Sequence, residues 1–214
     1  MKKFFKIISI FLTFIFLASC SDNNETKKLA ESYANLVSNY YEETAKRTNS
    51  MFLAINDFLN DPNEFSLENA KNKWISAREV YGITEAFRFY GGPIDGTNQY
   101  GEEGPEGLIN SWPLNEAYID YVEGNPEAGI VNNLLYKINK DTIMASNQSD
   151  DDADVSTGWH AIEFLLWGQD SSIETAGQRE FTDYVPINEI NNRRRDYLLL
   201  VTELLVEHIN WLND

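Results

Sequence analysis

Gly158-Trp159-His160-Ala161-Ile162-Glu163 places an imidazole and a carboxylate three residues apart. On a helix that spacing sets both side chains on one face, where they can converge on a single ion. One nitrogen and one carboxylate oxygen suit iron or zinc better than magnesium or calcium. The same spacing also makes an ordinary hydrogen bond along a helix face, and the residue types alone leave both readings open.

A second group is Trp74, Arg78, Tyr81, Glu85 and Arg88, spaced close to four-three-four-three. That is the buried stripe of a bundle helix, and charges on such a stripe need partners. One reading is a structural Arg–Glu network. The other directs Glu85 at the same ion as His160, a third ligand after His160 and Glu163, with Arg78 and Arg88 orienting the carboxylates. The acidic run Asp150-Asp151-Asp152-Ala153-Asp154 invites a calcium loop, but Val155 and Ala161 stand where that loop needs glycine and glutamate. A solvated acidic loop remains.

The elements that must carry these residues are helical. Apolar residues recur three and four apart from Leu29 to Leu59, predicting a long amphipathic helix. Asp61-Pro62-Asn63 breaks it, and Ser66 can cap a second helix running through Trp74 and Arg88 to Gly91. Residues 91–111 hold six of the 12 glycines and two prolines, a long loop. Short helices are predicted from Pro113 to about Val122 and from Pro126 toward Ile138. Ser156 or Thr157 can cap a helix that Gly168 ends, and a last helix spans about Ile187 to Leu212. With no strand pattern and no repeat, the chain reads as an all-α, up-and-down bundle of about four main helices plus short ones.

The N-terminus predicts the compartment. Lys2, Lys3 and Lys6 precede an apolar run, Ile7 to Ala18, broken only by Ser9 and Thr13. About a dozen residues are too few for a membrane span, which takes roughly 20. The run ends Leu17-Ala18-Ser19-Cys20, which resembles the lipobox cut by the lipoprotein signal peptidase. Residues 1–19 are therefore expected to be a signal peptide, Cys20 the lipidated residue, 20–28 a polar tether and 29–214 a helical domain. Cys20 is the only cysteine, so no disulfide can form within the chain. The membrane is thus an expected partner through lipid on Cys20, in an outer-membrane lipoprotein that is periplasmic or surface-exposed. The acidic stretch Ser21-Asp22-Asn23-Asn24-Glu25 fits either a surface-export signal or a solvated tether.

Losing the signal removes Lys2, Lys3 and Lys6 and no acid, so the formal net charge of −17 becomes −20. Such a charge excludes nucleic acid as a partner, since the phosphate backbone needs cationic patches. With 43% hydrophobic and 13% aromatic residues the chain can fill a core and is not a disordered acidic tail.

With these residues in hand, the chain resembles the imelysin-like family, also called the insulin-cleaving membrane protease family. The stretch Val155–Asp170 carries the family's G-x-H-x-x-E signature at Gly158, His160 and Glu163. Further stretches of resemblance are Trp74 with Arg78, Glu85–Asp95, Ser111–Tyr121 and Arg194–Leu198, which together span nearly all of the mature chain. The resemblance implies a helical envelope protein linked to bacterial iron uptake, with a metal site at His160 and Glu163. It also implies that the chain corresponds to the first half of a typical member, whose two bundle-like halves hold the site between them. Iron-uptake components, or a second half, are the partners so implied.

Three functions follow: a metal-binding lipoprotein with iron or zinc as its divalent metal, a metallopeptidase, or a non-catalytic surface scaffold. A thermolysin-type site takes two histidines, a third ligand and a glutamate base. This chain offers only His160 and His208, so enzymatic activity is left open.

Overall fold

The computed structural model describes residues 23–91, Gly96 and residues 104–213. Residues 1–19, expected to be a signal peptide, and Cys20, expected to be lipidated, lie outside them. Among the described residues there is no strand, only an isolated bridge between Val122 and Asn125, and the fold is all-α as predicted.

The first long helix, α1, covers Asn23–Asn60. The chain divides into two units after Asn39. The first unit is represented among the described residues by the N-terminal part of α1, where Leu29, Tyr33 and Leu36 are exposed although their spacing predicted a core face. A helical stripe becomes core only where another element covers it, and in this unit no other described element does so.

In the second unit α1 buries Tyr41, Ala45, Met51, Ile55, Phe58 and Leu59, the continuation of the predicted period. Helix α2, Glu64–Ile83, is capped by Asn63 rather than by Ser66. The Asn63 side chain accepts from the Ser66 N–H at 3.0 Å, and Ser66 Oγ accepts from the Asn63 N–H at 3.1 Å, a reciprocal capping box. Helix α2 stops at Ile83, short of the predicted end. Thr84 Oγ1 donates to the Tyr81 carbonyl at 2.6 Å, occupying the acceptor that the next α-turn would use, and Thr84–Phe87 tightens into a 3-10 turn.

Four short helices follow: α3 (Glu106–Ile109), α4 (Glu116–Ile119), α5 (Gly129–Asn132) and α6 (Lys140–Ser146). The predicted helix from Pro126 to Ile138 shrinks to α5 for a definite reason. Arg193 donates to the carbonyls of Val131, Ile130, Asn133 and Tyr136 at 2.7–3.0 Å, taking acceptors that a longer helix would need. Helix α6 was not anticipated; Asn139 and Thr142 cap it with a second reciprocal box.

Helix α7, Gly158–Trp167, is apolar on nearly every side, so it lies at the centre of the core. It packs on α8 (Glu189–Asn213) and on α2, and α3 touches both α7 and α8. Helices α5 and α6 lie on α8. A 3-10 turn, Phe181–Tyr184, brings the Tyr184 ring to 5.0 Å from that of Phe58 on α1.

Candidate functional site

The start of α7 is fixed by backbone contact. Gly158 has φ +81°, and a Cβ there would lie 2.3 Å from the carbonyl oxygen of Ile109. Only glycine lets α3 close on the helix at this point. Thr157 stands at the N-cap position as predicted but makes no capping hydrogen bond; its hydroxyl donates to Asn147 Oδ1 at 3.1 Å instead. Asn147 Oδ1 also accepts from the N–H groups of Ser156 and Thr157, so one amide holds the whole entry to the helix.

An aromatic cluster sets the rotation of α7. Trp74 Nε1 donates to the Trp159 carbonyl at 3.2 Å, and the Trp74 ring meets those of Trp159 at 6.0 Å and Trp167 at 5.3 Å, edge on. Gly158, Trp159, Ala161, Ile162, Phe164, Leu165 and Leu166 are buried, which leaves His160, Glu163 and Trp167 half-buried on the outward side. His160 Nδ1 lies 3.1 Å from Glu163 Oε2.

The two side chains line an open cleft of about 460 Å³ together with Trp74, Trp167, Glu116 and Asp170. The sequence analysis did not single out Glu116 or Asp170. Burial raises the pKa of Glu116 above the usual carboxylate range, against the opposing pull of the Asp170 backbone, Gln169 and Arg179. The cleft therefore joins one imidazole to three carboxyl groups. Among the described residues no group of three or more His, Cys, Asp or Glu side chains comes close enough to hold one ion. The one pair of these groups within hydrogen-bond reach in the cleft, among the contacts described, is His160 with Glu163.

Glu85 does not join it. It sits on the 3-10 turn after α2 and is exposed, because α2 ended before the stripe could carry it inward. The carboxylate that faces the arginines is Glu106, from α3. Arg88 is 2% exposed; its Nη1 donates to Glu106 Oε1 and, at 3.1 Å, to the Tyr81 hydroxyl, which itself donates to Glu106 Oε2 at 2.8 Å. The demand for a carboxylate beside these arginines was legible, but its identity was not, since Glu106 comes from the glycine-rich loop. Arg78 is half-buried, with its guanidinium 5.4 Å from the centre of the Tyr81 ring.

A further charged centre lies behind the cleft wall. Arg179 and Arg194 both donate to the fully buried Asp120, and Arg179 also reaches Asp183 at 3.3 Å. Arg179 is stacked between Tyr121 and Phe164, at 4.7 and 5.3 Å from their ring centres. Phe164 lines the cleft, so this centre braces its wall from inside.

His208 lines a different cavity, of about 630 Å³, with Trp211, Asn147 and Gln148. The two histidines thus belong to separate cavities. No helix among the described residues is long and apolar enough to cross a membrane.

No curated protein matches the chain. The family model described as Imelysin, Peptidase M75, matches residues 37–214, a span that takes in the caged Gly158-x-His160-x-x-Glu163 turn and both buried arginine centres. By that match the chain belongs to the imelysin family.

Proposed function

We propose that this protein is an envelope-anchored member of the family that takes a metal ion, iron in the first instance, as cargo at His160 and Glu163. One observation carries the reading: the imidazole and carboxylate stand 3.1 Å apart on an outward face of an otherwise buried helix and open into a cleft. A pair kept only for packing would not need an open cavity in front of it. Glu116 and Asp170 in the same cleft add negative potential that attracts a cation.

The donor set fits an ion held loosely. A resident iron or zinc site usually takes at least three protein ligands. Here two are in place, so the remaining positions fall to water or to a ligand arriving with the ion. Calorimetric titration with ferrous iron and with zinc should show weak binding that is lost in both His160→Ala and Glu163→Gln. Equal binding by wild type and His160→Ala would remove the metal from this pair.

The anchor is the lipid expected on Cys20. Support comes from the charged, apolar and small-residue order of the first 20 residues. In cells fed a labelled fatty acid, Cys20→Ser should carry no label; label retained by that variant would overturn the anchor.

A further inference from the structure

The chain has seven arginines, and six of them are committed. Arg47 pairs with Glu43, Arg88 with Glu106, and Arg179 and Arg194 share Asp120. Arg193 and Arg195 donate to backbone carbonyls. Arg78 differs. Among the described residues its guanidinium makes no hydrogen bond and no ion pair, and it lies over the face of Tyr81.

This free fork lies over the Tyr81 ring, which in turn meets the ring of Trp159, the residue before His160, at 5.4 Å. Arg78 lies three and four residues beyond Ile75 and Trp74 on α2, so it shares their face of the helix, and both of those residues line the cleft. The charge of Glu163 is felt at Arg78, and burial works against its cationic form. A guanidinium nevertheless stays charged in a protein, so it is a half-desolvated cation with five unused donors. Its acidic neighbours are spoken for: Glu106 is held by Arg88 and Tyr81, and Glu163 is turned to His160. In a chain of net charge −17 acids are not scarce, yet none among the described residues fills the fork.

From this we propose that Arg78 is an anion receptor beside the metal pair, and that the ligand of the cleft is a small di- or tricarboxylate, bound alone or as the chelator of the ion. A carboxylate matches the guanidinium fork with two parallel hydrogen bonds. A second carboxylate of the same molecule would supply oxygens to the coordination positions that His160 and Glu163 leave empty. This identity of the ligand rests on the metal reading above; the anion site itself does not.

Citrate is the probe, titrated into the metal-free full chain. Wild type should bind it, Arg78→Gln should bind it at least ten-fold more weakly, and Arg78→Lys, which keeps the charge and loses the fork, should fall between. Citrate binding unchanged in Arg78→Gln, or absent in wild type with and without zinc, overturns the proposal. Zinc alone, titrated into wild type, Arg78→Gln and His160→Ala, separates the two readings. Zinc should bind Arg78→Gln at least as tightly as wild type, because losing a nearby positive charge does not weaken cation binding, and should fail on His160→Ala. If zinc binds none of the three while citrate still depends on Arg78, the metal reading fails and the anion site stands. A circular-dichroism melt of each variant guards against loss of fold.

Discussion

Arg194 clasps Asp120 side-on, Nε 2.5 Å from Oδ2 and Nη2 3.0 Å from Oδ1, across 74 residues of sequence. Arg179 adds a third bond to Oδ2 at 2.8 Å, and all three side chains are buried. Two cations thus lean on one buried carboxylate, with Asp183 partly balancing them from the edge. Asp120→Asn keeps the shape and removes the charge, leaving the guanidinium groups uncompensated. Breaking a buried pair in this way costs about 3–5 kcal/mol. Urea denaturation should show a loss of that order; a loss below about 1 kcal/mol would mean that solvent reaches the centre.

Gly158 offers a second test, because the glycine of the motif has a structural task separate from the chemistry of His160. Alanine there must adopt φ near +81° and place its Cβ 2.3 Å from the Ile109 oxygen, so α3 and α7 would have to part. Backbone strain of this kind costs about 1–3 kcal/mol before any clash is counted. Gly124 is the control, having φ +78° with nothing within 4 Å of its Cβ position. Gly158→Ala should lower the thermal midpoint much more than Gly124→Ala. Equal effects would show that strain alone, and not the approach of α3, sets the requirement.

The parts of this fold that were legible in the sequence are those where the chain's own period decides the outcome. Helix α8 follows the predicted range closely, and Gly168 ends α7 as predicted. Where the outcome depends on a distant group, the local pattern misled. Glu85 fits the stripe of Trp74 and Arg78 by spacing, but Thr84 closes the helix first and Glu106 takes its place. Leu134 and Leu135 look helical, yet Arg193 takes the carbonyls around them and both side chains end exposed. That His160 and Glu163 share one face of α7 was legible, because a spacing of three on a helix sets it without help from any other element. Glu116 and Asp170 carry no spacing that points to the cleft, and only folding puts them there. Asp120 and Arg194 fall in two stretches singled out for resemblance, Ser111–Tyr121 and Arg194–Leu198, and the ion pair gives that resemblance a physical cause.

The last test uses the second histidine. Burial lowers the pKa of His208 below its ordinary 6.5, against a weaker opposing pull from Glu207, and its Nδ1 is enclosed without a hydrogen-bond partner. The folded state therefore favours the neutral ring. As pH falls through about 6.5 the unfolded chain takes up this proton first, so the unfolded state gains protons that the folded state does not. Stability from this residue is present above 6.5 and is lost progressively below it, down to the lowered pKa of the folded state. His208→Phe cannot titrate, so its urea midpoint should fall less between pH 7 and pH 5.5 than that of wild type. The other ionisable groups are common to both proteins and cancel in the difference. Parallel midpoints across that range would show that His208 is as well solvated in the folded chain as in the unfolded one.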